Sequence, residues 1–375
     1  MQEVYINRLA KYLPNEPIPN SDIEEVLGYI NGKPSRAKTI VLRNNGIKSR
    51  HYAFKDGKST HSNAELTALA VKQLFPDGKV QTDLLTCGTT FPDQVLPSHA
   101  AMTLGLLETE PTEIYSTSGA CCSSIQGLKH AYLSIKAGEA HNAVSTGSEK
   151  LSNMMDAPKF DGEFDGTEAI DQNGYIAFEK DFLRYMLSDG AAAAYLSDQP
   201  NTDGISLRID WIDMTSYSNE LETCMYAGSD KDEAGNVISW KDMDAKDWRS
   251  KSVFAVKQDT RLLGQHIVPR GVGFLVDIIA KRGIELSSYN HFMPHLSSNF
   301  FRQEIHKGLE LRGLAIPDEI WFTNLERVGN VGSASPFLMM EELFHSGKLK
   351  KGEKILMMIP ESARFIYAYI QLTVV

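Results

Sequence analysis

The sequence predicts an α/β protein built from two similar halves. Segments with strand-like and helix-like periodicity alternate along the whole chain, and a polar stretch with Pro and Gly at 197–204 interrupts them. A content of 42% hydrophobic residues in 375 residues is enough to fill two domains of ordinary size or one large duplicated one. We therefore predict an N-terminal half at 1–200 and a C-terminal half at 201–375. The two halves share a rhythm but no recognisable sequence identity.

The elements of the first half follow from local pattern. Residues 123–136 carry apolar side chains at helical spacing and are followed by Gly138, a residue type typical of a helix C-cap. Pro97 suits the first turn of a helix, and 21–24 has the composition of a capping box. In chain order we predict strand 2–7, a helix from 21, helix 62–74, strand 83–87, helix 97–106, strand 113–116, helix 123–136, strand 143–146 and strand 190–196.

The second half repeats the alternation, with one segment that departs from it. Residues 215–248 are acidic and contain glycine, which indicates an insertion or a cap over the fold. The other predicted elements are strand 205–212, helix 274–282, strand 289–293, helix 298–311, strand 319–322, helix 335–346 and strands 354–359 and 365–375.

Composition narrows the class of protein. A net charge of −10 argues against broad nucleic-acid binding, which normally requires a basic face. No apolar run approaches the roughly 20 residues of a membrane span, and the N-terminus lacks a basic region followed by an apolar one. The four cysteines form no CxxC pair, which favours free thiols. We expect a cytoplasmic protein.

Three residues in the order Cys, His, Asn carry the strongest functional signal. Cys121 precedes the helix at 123–136, His295 follows Pro294, and Asn330 lies in the sequence GNVGS. A helix N-terminus places free N–H groups and partial positive charge beside a thiolate, while His and Asn can donate hydrogen bonds to an oxyanion. Taken alone, the trio leaves acyl transfer, hydrolysis and amide chemistry open. His291 and His295 do not indicate a metal site, because Pro294 implies a turn and no third ligand stands nearby.

The segments around these three residues resemble those of a known family. The segment 118–128 (SGACCSSIQGL) resembles the nucleophile elbow of the type III β-ketoacyl-acyl-carrier-protein synthases of the thiolase superfamily. The spacing to Gly138 and Gly147 also matches that family and favours Cys121 over Cys122 as the nucleophile. Further matches are FMPH at 292–295, Gly329-Asn330, Gly46-Ile47 with Arg50, and SDGAAA at 188–193. The resemblance covers nearly the whole chain.

The resemblance implies a thiolase-like fold, with two βαβαβαββ halves stacked as five αβαβα layers, and a homodimer. It implies that Cys121 accepts an acyl group, that His295 and Asn330 bind the carbonyl of a second thioester, and that a Claisen condensation follows. The substrates would be thioesters of coenzyme A or an acyl carrier protein, with no metal and no other cofactor. The backbone N–H of Cys121 would supply one donor of the oxyanion hole.

Several positions refine or depart from the family pattern. The family has a Gly-rich loop where this chain has PESARF at 360–365, so the second oxyanion donor is assigned to the N–H of Ala363. Leu96 falls in a loop that resembles the segment each subunit inserts into its partner's acyl tunnel. The absence of Trp near Ile40 favours a carrier protein as donor, and Arg302 and Lys307 could dock it. The roles of Cys122 and Glu149 stay open.

The resulting hypothesis is a carbon–carbon bond-forming acyltransferase. The CCSS elbow, the PESARF loop and the insertion look like condensing enzymes that make dialkylresorcinols, through a β-ketoacyl or malonyl-type second thioester and a cyclohexanedione. Alternatives are an ordinary ketosynthase III that initiates fatty-acid synthesis and a Cys/His/Asn thioester hydrolase. A papain-like layout fits poorly, since Cys121 lies deep in an alternating α/β half. A non-catalytic synthase partner fits poorly too, because the trio is retained.

Overall fold

A nine-stranded sheet dominates the computed structural model, which describes residues 2–160, 182–232 and 234–375. Most predicted strands are present, with bounds that differ by a few residues. In chain order the strands of this sheet are β1 (Tyr5–Tyr12), β2 (Leu84–Thr89), β3 (Glu113–Ser118), β4 (Asn142–Glu149), β5 (Gly190–Ser197), β6 (Leu207–Ser216), β7 (His291–Pro294), β8 (Lys354–Glu361) and β9 (Ile366–Val374).

The strand order is β7-β8-β9-β6-β1-β5-β4-β2-β3, and it changes direction in the same way on both sides of the β1–β6 junction. On the N-terminal side, β3, β2 and β4 are parallel, and β5 and β1 follow as antiparallel strands. On the C-terminal side, β7 and β8 are parallel, and β9 and β6 follow as antiparallel strands. Only two residue pairs join β1 to β6. The division at residue 200 agrees with this repeat and remains our working hypothesis.

Side-chain alternation along the strands creates the layers. On β5, Ala192 and Ala194 face one hydrophobic core while Ala191 and Ala193 face another, because successive residues of a strand point to opposite faces. On β8, Met357 faces the first of these cores, and Met358 faces a third. The first core therefore lies between the N-terminal strands and the C-terminal strands of the sheet, and a layer of strands covers it on each side. This produces the five αβαβα layers that the resemblance implies.

The helices supply the three helical layers. In chain order they are α1 (Ile23–Leu27), α2 (Lys38–Asn45), α3 (Asn63–Gln73), α4 (His99–Leu104), α5 (Ser123–Ala137), α6 (Ala245–Ser250), α7 (Thr260–Arg282), α8 (Phe300–Glu310), α9 (Leu325–Val328) and α10 (Ser335–Phe344). Residues of α5 and α10 fill the central core, those of α3 cover the N-terminal outer face, and those of α7 and α8 cover the C-terminal outer face.

Helix α7 is longer than the predicted helix 274–282 and is long and apolar enough to span a membrane by length and composition. Its inner face, however, packs on the sheet. The hydroxyl of Tyr367 donates to the carbonyl of Ile267 at 3.0 Å, and that of Tyr369 donates to Gly271 at 3.0 Å. Helix α7 is therefore a core helix of the C-terminal outer layer. Its first half escaped prediction because Pro269 and three glycines weaken the helical pattern.

Two local predictions are wrong for physical reasons. The expected capping box at 21–24 does not form, because the carboxylate of Glu24 instead contacts Lys38 (3.0 Å) and the Tyr185 hydroxyl (2.9 Å). The expected strand 319–322 is a 3₁₀ turn, Asp318–Ile320, and one bridge between Trp321 and Phe292. By contrast, the helix that begins at Asn63 has a complete capping box.

The insertion at 215–248 has structure of its own and extends toward α7. Two short antiparallel pairs hold it together: Met225–Tyr226 with Lys257–Gln258, and Ser229–Lys231 with Val237–Ser239. Its outer end is an aromatic group in which the rings of Trp240 and Trp248 lie 5.5 Å apart, edge to face. The described residues of this segment thus form short strands and an aromatic cluster, and its role as a cap stays a prediction.

Candidate active site

Cys121 lies in the turn that joins β3 to α5. Gly119 has a φ of +151°, a backbone conformation that side-chain-bearing residues rarely adopt, and this lets the chain turn immediately after the strand. The N–H of Ser123 then bonds to the carbonyl of Ala120 at 3.0 Å, and the helix begins. Cys121 is 8% exposed and lines an internal cavity.

Cys122 is placed differently from its neighbour. Its side chain is completely buried, and its Sγ donates to the carbonyl of Ile359 on β8 at 3.3 Å. It does not line the cavity. The geometry therefore favours Cys121 as the nucleophile and gives Cys122 a structural contact with the C-terminal half.

His295 follows β7 and reaches the same cavity. Its backbone N–H extends the pairing with β8 by donating to the carbonyl of Met358 at 2.8 Å. The side chain is buried, and its Nε2 has no hydrogen-bond partner among the described residues. Burial lowers the pKa of the imidazole to about 4, so His295 is neutral at pH 7. A buried, unpartnered Nε2 on a cavity wall is suited to binding a polar substrate atom.

Asn330 is fixed by its backbone and by its own side-chain oxygen. Its N–H donates to Met186, and its carbonyl accepts from the N–H of Ser188 at 2.9 Å. The side-chain Oδ1 accepts from the N–H of Gly332 at 3.0 Å. Since Asn330 also lines the cavity, its amide nitrogen is the group left to donate a hydrogen bond there.

The three residues meet in one cavity with a largely apolar wall. Together with its opening, the cavity comprises about 770 Å³ free of protein atoms. Most of its apolar residues come from helices α7 and α8 and from the loop before β5, and Met225 comes from the insertion. Its apolar residues are Phe91, Leu151, Leu183, Met186, Leu187, Met225, Val256, Leu263, Ile267, Val268, Leu296, Phe301, Ile305 and Met358.

The electrostatics around Cys121 differ from the sequence expectation of a thiolate. Burial, followed by the nearby carboxylates of Glu361 and Glu149, raises the pKa of the Cys121 thiol well above its ordinary value. The side chain of Glu361 also accepts the N–H groups of Ala120 and Cys122 at the start of the helix. The thiol form of Cys121 is therefore favoured over the thiolate in the resting protein. Glu361 escaped the sequence analysis as an individual residue, although an acidic side chain at the end of an apolar strand was a signal for it.

Glu149 supports the site from behind. It accepts from the N–H of Thr90 at 3.0 Å, from the Thr90 hydroxyl at 2.5 Å and from the N–H of Ser333 at 3.1 Å. Burial raises the pKa of this carboxyl group. It does not line the cavity, and no cation pairs with it in the part of the chain that is described. Glu149 therefore ties the Thr90 loop to the loop that follows Asn330.

The other predicted site residues lie outside the cavity. The carbonyl of Ala363 accepts from Cys224 at 2.9 Å, and Ala363 is not on the cavity wall, whereas Ser362 is. The assignment of the second oxyanion donor to the N–H of Ala363 stays a prediction. Leu96 is 83% exposed and lies on the surface of this chain.

The expected docking cations are both engaged. Arg302 forms an ion pair with Asp318 and stacks over Trp321, and Lys307 pairs with Glu304 at 2.7 Å. Their charges are thus partly neutralised, which weakens the docking prediction. Within residues 2–160, 182–232 and 234–375, no three metal-binding side chains cluster.

Comparison with known proteins gives a consistent result. The pattern of the family described as 3-oxoacyl-[acyl-carrier-protein (ACP)] synthase III C terminal matches residues 279–359. A β-ketoacyl-[acyl-carrier-protein] synthase III of Sulfurimonas denitrificans is 25% identical over 353 residues, which cover 93% of this chain and 92% of that protein. One from Fusobacterium nucleatum is 22% identical over 355 residues, 95% of this chain and 94% of that protein.

Solved structures share the fold over the whole chain. The tetronic acid condensing enzyme AbyA1 superimposes with a TM-score of 0.75 at 18% identity, over 99% of both chains. The synthase III FabH of Pseudomonas aeruginosa gives 0.72 at 17% identity, over 99% of this chain and 98% of that one. A Xanthomonas campestris OleA variant with bound lauric acid and lauroyl-CoA gives 0.73 at 19% identity, over 99% of both. The thiolase-like α/β fold is confirmed.

Proposed function

We propose that this chain, a β-ketoacyl-acyl-carrier-protein synthase III-like acyltransferase with the thiolase-like fold, joins two acyl thioesters by Claisen condensation at Cys121. The observation that carries the proposal is the convergence of Cys121, His295 and Asn330 on one apolar cavity. The unpartnered Nε2 of His295 and the amide nitrogen of Asn330 are well suited to a thioester carbonyl. The chain's similarity to synthases III over most of its length supports the same chemistry.

In the loading step, Sγ of Cys121 attacks the carbonyl carbon of the first thioester. The new carbon–sulfur bond forms as the bond to the donor's sulfur breaks, and the proton of the Cys121 thiol ends on the released thiol. The backbone N–H of Cys121 is the proposed donor to the oxyanion. An acyl chain in this position would lie against the apolar wall of the cavity.

In the condensation step, the carbonyl oxygen of the second thioester accepts hydrogen bonds from His295 and Asn330. A malonyl-type substrate releases CO₂, and a β-ketoacyl substrate gives an α-proton to water, so that an enolate forms in either case, and water later supplies the proton that the sulfur takes up. The α-carbon attacks the acyl group on Cys121, the carbon–sulfur bond breaks, and the sulfur regains a proton. A neutral His295 suits this role because it can donate without adding a positive charge to the cavity.

A dialkylresorcinol precursor is the more specific product that we propose. The insertion contributes Met225 to the cavity wall, and Val256 and Gln258, which lie between the insertion and α7, line it too, so the segment that separates this chain from the family pattern also borders the substrate space. The long apolar wall formed by α7 and α8 is suited to a second alkyl chain. AbyA1 is described as a tetronic acid condensing enzyme, and OleA has been solved with bound lauric acid and lauroyl-CoA. The alternatives remain an initiating ketosynthase III and a thioester hydrolase.

The test is intact-protein mass spectrometry after incubation with acyl-coenzyme A and acyl-carrier-protein thioesters, followed by product analysis. We expect an acyl adduct on the wild type and on Cys122→Ala, none on Cys121→Ala, and a carbon–carbon product when a β-ketoacyl thioester is added. An adduct that persists in Cys121→Ala but disappears in Cys122→Ala would overturn the nucleophile assignment. Release of free acid without a condensed product would favour the hydrolase.

A cytoplasmic homodimer is part of the proposal. Strand β3 is the last strand of the sheet and pairs on one side only among the described residues. Val95 and Leu96 nearby are 76% and 83% exposed, and an exposed sheet edge with apolar neighbours favours association. Light scattering on the purified protein should give about twice the chain mass, and a monomer at micromolar concentration would contradict the dimer.

The donor thioester would approach a different basic surface from the one expected. Residues 26–55 contain seven Lys and Arg and no Asp or Glu, in a chain of net charge −10. Arg36 and Arg43 are exposed and have no carboxylate partner among the described residues. Helix α2, which carries Arg43, is joined by the bond from the Asn299 N–H to Asn45 at 2.9 Å to the segment that holds the cavity residues Ser297 and Phe301. Glu substitutions at Arg36 and Arg43 should raise the KM for a carrier-protein donor more than those at Arg302 and Lys307.

A further inference from the structure

A buried carboxylate from the C-terminal half lies directly behind the turn that presents Cys121. Glu361 is the last residue of β8 and is 1% exposed. Its Oε2 accepts the N–H of Ala120 at 3.0 Å and the N–H of Cys122 at 2.9 Å, the residues on either side of Cys121. The Sγ of Cys122 donates to Ile359 on the same strand. The end of β8 therefore holds the nucleophile turn by its backbone and by a side chain.

Strand alternation explains why Glu361 does not face the substrate. Its neighbours Pro360 and Ser362 line the cavity, and Glu361 points to the other side, toward the turn at 119–122. No Lys, Arg or His pairs with it among the described residues, so two backbone N–H groups are its known partners there. Burial raises the pKa of the Glu361 carboxyl group, whereas its two N–H donors favour the ionised form. A buried carboxylate held in this way acts strongly on its neighbours, since little water screens it.

We propose that Glu361 is a positioning residue of the acyl-transfer site, which fixes the turn that presents Cys121 and places a negative charge behind its sulfur. This inference rests on the proposed function, because it assigns Cys121 as the nucleophile. Glu361 accepts the N–H groups of Ala120 and Cys122, so these two donors are not free to stabilise a thiolate at Cys121. The sulfur of the resting protein therefore favours its protonated form, which slows its reaction with oxidants and alkylating agents.

Three other titratable side chains lie near Cys121. The carboxylate of Glu149, on β4, also raises the pKa of the Cys121 thiol, and Cys121 in turn raises the pKa of Cys122. The imidazole of His295 is neutral. Glu361 is the larger of the two carboxylate effects on the Cys121 thiol, after burial itself. It is also the carboxylate that contacts the nucleophile turn directly.

The experiment compares Glu361→Gln with the wild type and with Glu341→Gln. The Gln side chain keeps the shape and an oxygen that can accept both N–H groups, but it removes the charge. Glu341 is a mostly buried carboxylate on α10 that pairs with Lys11 at 2.6 Å and does not touch the turn. The readout is the rate of Cys121 alkylation by iodoacetamide between pH 6 and 10, resolved by peptide mass spectrometry.

We expect the alkylation rate of Glu361→Gln at pH 8 to rise about tenfold, with a profile that moves to lower pH by about one unit. Glu341→Gln should follow the wild type. An unchanged profile in a Glu361→Gln protein with a wild-type melting curve would overturn the inference.

If Glu361→Gln does not fold, Glu361→Asp tests the positioning. That variant keeps the charge, so its alkylation profile should follow the wild type, while acyl loading should fall about tenfold because the carboxylate is withdrawn. Acyl loading of Glu361→Asp at the wild-type rate would overturn the inference.

The two proposals fail in different ways. Alkylation requires no acyl substrate, so a shifted profile without any acyl adduct on the wild type would remove the proposed function and leave the electrostatic effect of Glu361 intact. An acyl adduct on the wild type with an unshifted Glu361→Gln profile would do the reverse.

Discussion

Gly147 on β4 approaches the carbonyl of Ser333 so closely that a methyl group on its α-carbon would lie 2.5 Å from the oxygen. The same methyl group would lie 2.9 Å from Cβ of Ser124, whose hydroxyl donates to Ser333 at 2.6 Å. Three segments thus meet at this point: β4, the start of α5 and the loop that follows Asn330. This contact sets the distance between the part of the chain that carries Cys121 and the part that carries Asn330.

Gly147→Ala should therefore lower the free energy of unfolding by about 2–4 kcal/mol, because backbone and Ser333 must separate to admit the methyl group. Acyl loading should fall as well, since the nucleophile helix shifts. The matched control is Gly264→Ala in α7, where an added methyl group meets nothing within 4 Å. Urea denaturation should show the control to be neutral or slightly more stable. Equal stabilities for the two variants would contradict the close approach.

Removal of the Asn330 amide should separate the two chemical steps. In Asn330→Ala, acyl loading on Cys121 should stay within about threefold of the wild type, whereas condensation should fall about 10²–10³-fold because a donor to the developing oxyanion is lost. Mass spectrometry of the acyl adduct and chromatography of the product measure the two steps separately. Loss of both steps to the same extent would argue against this division of roles.

The neutral state of His295 should appear in the pH profile. With a pKa of about 4, the imidazole stays neutral at pH 5.5, whereas an ordinary His with a pKa near 6.5 would be about 90% protonated there. Condensation by pre-acylated enzyme should therefore change less than about twofold between pH 5.5 and 7. An acid limb centred near pH 6.5 in single-turnover measurements would contradict this environment for His295.

His99 should make the fold sensitive to acid. Its Nε2 contacts the hydroxyls of Thr67 (3.1 Å) and Ser148 (3.0 Å), and burial lowers its pKa to about 4. The unfolded chain binds a proton at His99 below about pH 6.5, whereas the folded protein binds it only near pH 4. The stability that the neutral His99 contributes is therefore complete above pH 6.5 and is lost as the pH falls toward 4. The loss should reach about 2 kcal/mol by pH 5. His99→Gln should show a correspondingly flatter decline relative to the wild type in urea titrations at pH 5 and 7.5.

Leu96→Phe should shorten the acyl chains that the enzyme accepts, if the exposed Leu96 enters the tunnel of a partner subunit. The melting temperature should not change, because the side chain is exposed in the single chain. Leu311→Phe, at a position that is 84% exposed and belongs to the end of α8, is the matched control and should leave chain-length preference unchanged. Competition between C6 and C14 acyl thioesters measures the effect, and identical preferences in both variants would place Leu96 outside the tunnel.

Local pattern was sufficient for much of the fold. The helix predicted at 123–136 is observed as Ser123–Ala137, and the central strands lie within a few residues of their predicted positions. These elements have strong periodicity and clear end signals, so neighbouring residues determine them. The capping box at 21–24 and the strand at 319–322 failed because Glu24 and Trp321 are used in contacts with distant segments.

Local pattern was sufficient for the order and spacing of Cys121, His295 and Asn330, for the alternation that builds five layers, and for the resemblance to the synthases. The fold was needed to show that Cys121, which the sequence favoured over Cys122, faces the cavity, that burial raises the pKa of its thiol, and that Glu361 lies behind it, about 240 residues away in the chain. It also decided that Ser362, and not Ala363, lines the cavity. The physical reason is that proton affinity and free hydrogen-bonding groups depend on burial and on long-range neighbours, which no local pattern of residues encodes.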